Sequence, residues 1–281
     1  MREIRADEIK RAVKKLCMDA NYYLPQDVID ALRKGYEREV SPIGKDILKK
    51  ILKNIEVAGK QKLPLCQDTG VAVFFIDLGQ EVKIVGKSLE DAINEGVREG
   101  YSEGYLRKSM VADPLFDRTN TKDNTPCIMH IRIVRGNKVR IAFVPKGGGA
   151  ENMSRVAMLK PADGVKGVKR FVIQTVEEAG PNPCPPLIIG VGIGGDFEEV
   201  SLLAKRALLR KIGQHNPNAR YAELEDELLV EINRLGIGPQ GLGGRITALA
   251  VNIEHFPCHI ASLPVAVNLQ CHAARHKEIE I

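Results

Sequence analysis

Apolar positions along this chain follow two rhythms, and the elements can be read from where one gives way to the other. Over residues 7–20, Ile9, Val13, Leu16 and Ala20 recur at helical spacing. Pro25 opens a second helix with Val28, Ile29, Leu32 and Tyr36 on one face. Ser41-Pro42 provides a cap and a first-turn proline for a third, striped by Ile43, Ile47, Ile51 and Ile55. The run from Val71 to Ile76 then predicts a buried strand over 71–77, and Ser88-Leu89-Glu90-Asp91 starts a helix to about Gly100. Residues 127–134 and 138–144 predict a hairpin around Gly136-Asn137. Further on, the pattern gives a helix over 164–179 and a strand over 187–191. A helix from near Asp196 and another over 221–235 follow, then strands over 247–253 and 261–267. This order is no regular βαβ alternation. It predicts an α+β fold in which a helical N-terminal layer, 1–62, packs with a mixed β-sheet inside a single domain spanning 1–281.

Composition narrows the function classes. The chain has 281 residues, 44% of them hydrophobic, which is enough for a sizeable core, and no tryptophan, so that core is mostly aliphatic. The net charge of +5 resides in residues 1–62, where 15 Lys/Arg face 10 Asp/Glu. No aromatic residues interleave with these cations, so a nucleic-acid partner is not expected. The first ten residues lack an apolar core and nowhere does an apolar run reach bilayer length, so a cytoplasmic protein without a membrane partner is expected. Six cysteines in a reducing compartment suggest metal or catalysis before disulfides.

Candidate chemistry concentrates in the loops. Cys66-Gln67-Asp68-Thr69-Gly70 places a thiol, an amide, a carboxylate and a hydroxyl in succession before a strand. The long polar segment 101–126 carries Arg107 and is expected to be functional. Lys146-Gly147-Gly148-Gly149 follows a strand, where glycines let backbone N–H groups approach an anion. Cys184 is pinned between prolines, and Cys271 follows a strand. Cys17 and Cys127 sit in core-like patterns, Cys258 is ambiguous, and His130 and His255 read as structural. Cys66, Cys184 and Cys271 are too far apart for a zinc finger or a compact ferredoxin motif, but three thiolates suit an iron–sulfur cluster that leaves one iron open. Gly190-Val191-Gly192-Ile193-Gly194-Gly195 formally matches the dinucleotide fingerprint. Against that reading, no acidic strand end follows at the expected distance, and Glu198 and Glu199 crowd the helix start.

Five stretches carry a resemblance: Cys66–Gly70, Lys146–Gly149, Asn182–Pro185, Gly192–Gly195 and Ser262–Val267. Together, and in this order, they resemble the class I fumarate hydratase/L-tartrate dehydratase family, in its N-terminal or α-subunit half. The resemblance implies a [4Fe–4S] hydro-lyase acting on a small dicarboxylate. It makes Cys66, Cys184 and Cys271 the cluster ligands and Asp68 and His259 catalytic. Gln67, Arg107, Gly148 and Gly149 become substrate-binding. It implies fumarate hydration to L-malate as the first reading and L-tartrate dehydration as the alternative. It further implies a β subunit as partner, completing the site with a base and more cations, in an assembly with two copies of each chain. Two rival classes remain: a nucleotide-binding protein using Gly190–Gly195, and a non-catalytic assembly subunit whose cysteines are core.

Overall fold

The computed structural model describes residues 1–281. Its first elements are β1 (Arg2–Arg5), α1 (Ala6–Tyr22), α2 (Gln26–Arg38) and α3 (Pro42–Gln61). Then come β2 (Val71–Gly79), β3 (Val82–Val85), α4 (Leu89–Glu103), β4 (Ile128–Val134), β5 (Val139–Lys146) and a single turn, α5 (Gly148–Glu151). The rest is β6 (Arg155–Leu159), α6 (Gly164–Ala179), β7 (Leu187–Gly194), α7 (Glu199–Ala207), α8 (Ala219–Arg234), β8 (Ala248–Phe256), β9 (Leu263–Gln270) and β10 (Lys277–Glu280). The fold is α+β with mixed sheets, as expected. The chain divides into two compact units: residues 1–25, 54–148 and 275–281 form the first, and 26–53 and 149–274 the second. Thus α1 and α2 serve different cores, although their sequence stripes look alike. No helix is long and apolar enough to cross a membrane.

The first unit is built on a sheet ordered β10-β5-β2-β4. Phe74 and Ile76 of β2 and Ile141 and Phe143 of β5 pack with Ile9, Val13 and Leu16 of α1 and Ile93, Val97 and Tyr101 of α4. Removing each such side chain from water stabilises by roughly 1.5–3 kcal/mol. The two helices approach so closely that a Cβ on Gly96 would lie 2.7 Å from Val13, and one on Gly100 2.9 Å from Cys17. Ser88 caps α4 by accepting from the Asp91 N–H at 3.0 Å.

The hairpin expected over 127–144 is corrected by this sheet. Both strands exist, but β2 lies between them, antiparallel to β5 and parallel to β4. The apolar run of β2 gains most from the central place, where both of its edges are paired. Two cross-strand contacts fix β4 beside it: Arg132 forks onto Asp77 with two bonds of 2.9 Å, and His130 stacks on Phe75. The short β1 and β3, which pair in parallel, have no counterpart in the sequence reading.

The second unit has a sheet ordered β6-β9-β7-β8. Ile189 and Val191 of β7 and Val265 and Val267 of β9 face Val168, Val172 and Val176 of α6 and Leu228 and Ile232 of α8. On the other face, Val200 and Ala204 of α7 pack against Ala266. Here the fingerprint glycines find their use. A Cβ on Gly190 would stand 2.0 Å from the Ala204 carbonyl oxygen, and one on Gly192 2.1 Å from that of Val200. They are glycines so that α7 can lie on the sheet, and the ground they would give a pyrophosphate is filled by that helix. At the start of α3, the Ser41 Oγ accepts from the Gly44 N–H at 3.2 Å. The buried face of α3 is Gly44, Leu48, Ile51 and Ala58, and Ile43 of the expected stripe is exposed.

Candidate active site

Within the first unit, the structure brings together the Cys66–Gly70 loop, Arg107 and the Lys146–Gly148 turn. The Asp68 carboxylate bridges them. Its Oδ1 accepts from the Gly70 N–H at 2.9 Å and its Oδ2 from the Gly148 N–H at 2.8 Å. The Thr69 hydroxyl donates to the Arg107 carbonyl at 2.8 Å, tying in the segment that carries the exposed Arg107 side chain. Gly70 has φ +74°, and a Cβ there would meet the Lys146 nitrogen at 2.6 Å. Cys66 and Gln67 stand exposed at the head of the loop.

This loop and Leu65 before it are clamped by three buried side chains, Tyr101, Asn124 and Arg275, by the exposed Asn54 and by the Asn21 backbone. Asn54 Nδ2 donates to the Leu65 carbonyl at 2.8 Å, and the Leu65 N–H donates to the Asn21 carbonyl at 2.9 Å. The Tyr101 hydroxyl donates to the Thr69 carbonyl at 2.8 Å, and Asn124 Nδ2 to that of Gly70 at 3.2 Å. Arg275 donates to the Asp68 carbonyl at 2.7 Å. Burial pushes the Tyr101 phenol well above its usual range, so it stays a neutral donor.

In the second unit, Cys184 and Cys271 lie at one end of the sheet. Cys184 precedes β7, Cys271 follows β9, and Ile188 pairs with Gln270. The His272 N–H donates to the Cys184 carbonyl at 3.4 Å. The Cys184 backbone is left-handed, with φ +56°. Gly149 belongs here too; a Cβ on it would lie 3.3 Å from the Asn182 carbonyl oxygen. Cys258 and His259 precede β9, beyond the pairing of Ile193 with Val265. That is the opposite end of the same sheet, roughly 17 Å of strand away. His259 is exposed, and its Nδ1 accepts from the Ala261 N–H at 3.1 Å, which stiffens its own turn. The structure therefore does not bring His259 to the two cysteines of its unit. No three His, Cys, Asp or Glu side chains are gathered into a group able to hold a metal ion.

The other thiols are inert by environment. Burial pushes the Cys17 thiol well above its ordinary range and that of Cys127 up to about 12. Both belong to the first core, as their sequence settings imply.

The fumarate hydratase (Fumerase) family model matches residues 10–280. The chain belongs to this family. It is 45% identical to the putative L(+)-tartrate dehydratase subunit alpha of Methanocaldococcus jannaschii over 274 residues, 95% of each chain. It is 35% identical to the L(+)-tartrate dehydratase subunit alpha of Escherichia coli, over 92% of this chain and 86% of that one. Against the protein of the same name from Shigella sonnei, identity is 36% over 90% of this chain and 84% of the other.

Family membership gives the clamp its context, and its members are the residues that sequence reasoning missed. Tyr101 and Asn124 lie in the 101–126 segment expected to be functional, but only Arg107 was picked from it, and Asn21 stood at the end of a helical stretch. Arg275 stood in a charged tail. Nothing in the sequence separates it from the solvated charges around it.

Proposed function

We propose that this chain is the alpha subunit of a two-chain iron–sulfur hydro-lyase for a small hydroxy-dicarboxylate, with L(+)-tartrate its substrate. The observation that carries this reading is the 45% identity, over 95% of both chains, to a protein named as an L(+)-tartrate dehydratase alpha subunit. The names of the relatives favour tartrate over the fumarate reading that the sequence put first. Fumarate remains the second reading because the matching family model carries that name. The word alpha in those names supports a beta subunit as partner, in the expected assembly of two copies of each chain.

The donor chemistry fits a [4Fe–4S] cluster held by Cys66, Cys184 and Cys271. A cluster needs thiolates. Two of the six thiols are buried in apolar surroundings that disfavour ionisation, and Cys258 lies at the wrong end of its sheet for Cys184 and Cys271. The remaining three sit in polar loops at strand ends, with Cys66 in the first unit and the other two in the second. When bound, such a cluster supplies an open iron that acts as a Lewis acid on a hydroxyl and a carboxylate.

The chain's own residues then bind and orient. Arg107 pairs with a substrate carboxylate, for which its planar fork is suited. The Gln67 amide donates to a second oxygen. Asp68 is held as a carboxylate acceptor by two backbone N–H groups, which leaves lone pairs on both oxygens for a substrate hydroxyl. The Gly148 N–H is engaged by Asp68, so the backbone donor expected of the glycine turn falls to Gly149. The base that takes the proton from carbon comes from the beta subunit. His259 has no part in this scheme.

Co-expression with the beta chain under nitrogen, followed by parallel assays on L-tartrate and on fumarate, tests it. The reading predicts a kcat/KM for L-tartrate at least about tenfold above that for fumarate. The reverse ratio establishes the second reading, and no turnover of either diacid by an iron-loaded assembly contradicts both.

A further inference from the structure

Arg275 is fully buried, with 1% of its surface exposed, yet it has no carboxylate partner. Its Nη1 donates to Asn21 Oδ1 at 3.1 Å and its Nη2 to the Asp68 carbonyl at 2.7 Å, both neutral acceptors. Its Nε is buried without any partner. A buried guanidinium normally sits against an anion, because desolvating an unpaired charge is strongly unfavourable. This one lies under the loop whose exposed face carries Cys66, two residues from the carbonyl it holds.

We propose that Arg275 is the positioning residue for Asp68 and the buried positive charge against which the anionic groups of the Cys66–Gly70 loop are balanced. Holding the Asp68 carbonyl fixes the peptide from which its carboxylate reaches the Gly70 and Gly148 amides, so one side chain in the C-terminal segment sets a contact between residues 68 and 148. Asn21 completes the device. Its Oδ1 orients the guanidinium while its own Nδ2 is committed to the Cys17 carbonyl at 2.8 Å. The charge-balancing half rests on the reading above, in which thiolates and a dicarboxylate gather at this loop. The positioning half does not.

The test uses the full chain as wild type, Arg275→Gln and Arg275→Lys. In iron-free protein, amide hydrogen exchange is followed at Gly70 and Gly148, the two donors to Asp68, and across β2 and β5. Arg275→Gln is expected to speed exchange at Gly70 and Gly148 by about tenfold or more while the strand amides stay within about threefold. Arg275→Lys, which keeps the charge but not the fork, is expected to fall between. Wild-type exchange at both glycines, or an equal rise everywhere, overturns the positioning role. If Arg275→Gln does not fold, Asn21→Ala is read by the same two amides. After anaerobic reconstitution, chelator should strip iron from Arg275→Gln at least about fivefold faster than from wild type, with Arg275→Lys close to wild type. Equal loss from all three overturns the charge-balancing role. A wild-type chain that takes up no iron ends the cluster reading instead, and the exchange result stands separately.

Discussion

Two loops of this molecule carry a cysteine beside polar residues and lead into a buried strand, yet their surroundings differ completely. The Cys66–Gly70 loop and Leu65 just before it are held by residues from five other stretches of their unit: Tyr101, Asn124 and Arg275 donate to the Thr69, Gly70 and Asp68 carbonyls, Asn54 donates to the Leu65 carbonyl, and the Asn21 carbonyl accepts from the Leu65 N–H. The Gly195 N–H reaches the Pro257 carbonyl at 3.2 Å, but the turn after it, 258–262, holds only itself. His259 Nδ1 accepts from Ala261, the Ser262 N–H returns to the His259 carbonyl, and the Cys258 Sγ lies 3.4 Å from the Ser262 carbonyl. A cluster ligand or a substrate contact has to be held within a fraction of an ångström, and distant buried anchors do that where a self-contained turn does not. Residue type alone puts Cys258-His259 level with Cys66-Gln67-Asp68. Anchoring separates them.

Substitutions that cut each anchor should reproduce that separation. The largest effect is expected from Cys66→Ser or Cys184→Ser, each of which should lose most of the iron taken up by wild type, while Cys258→Ser retains it; iron and sulfide assays after reconstitution check this. Next, Asp68→Asn keeps the shape but removes the charge that joins residues 70 and 148, and should lower kcat of the assembled enzyme by about 10²–10⁴-fold. Its melting temperature should change far less than its activity, and equal kcat would remove Asp68 from the site.

A carboxylate that gathers backbone amides as Asp68 does lies in the second unit and calibrates the comparison. Glu39 is buried, and its carboxylate accepts from the amides of Val40, Ser41, Arg245 and Ile246. Burial opposes ionisation, but those N–H groups outweigh it and hold the carboxyl below its usual range. A depressed folded pKa means stability that is present above the unfolded value and lost as pH falls through the folded one. Glu39→Gln should therefore melt lower than wild type by several degrees at about pH 7, with the gap closing as the pH falls below the usual carboxylate range. A gap that does not depend on pH would show that shape and not charge matters there.

Smaller still, Tyr101→Phe removes one donor from the Thr69 and Gly70 carbonyls and should cost about 1–2 kcal/mol in urea unfolding. His259→Ala on the self-contained loop should change neither stability nor kcat by more than about twofold. A tenfold loss of activity in His259→Ala would restore it to the site and break the contrast between the loops.

Much of this fold was legible from residues alone. The stripe from Ile9 to Ala20, the Ser41 and Ser88 caps and the strands at 71, 187 and 263 all lie where periodicity and capping put them. Pairing order was not, because nothing local to residues 127–144 records that β2 competes for both strands. The fingerprint at Gly190–Gly195 misleads for a related reason: a glycine needed for a helix to lie on a strand is written with the same letter as one needed for a phosphate. At the candidate site, the side chains that face outward were readable as chemistry. The inward-facing ones, Arg275 above all, were not, since their role comes from which distant carbonyl they reach. The same applies to Gly148, whose amide looked available until Asp68 was seen to occupy it.

Which thiols bind iron together is read directly by peptide-resolved alkylation of the full chain, before and after anaerobic loading with iron and sulfide. Cys66, Cys184 and Cys271 should be modified in the iron-free chain and protected together once it is loaded, with Cys258 modified equally in both. Protection of Cys258, or a Cys66 that reacts as fast with iron as without, would contradict a cluster held by those three.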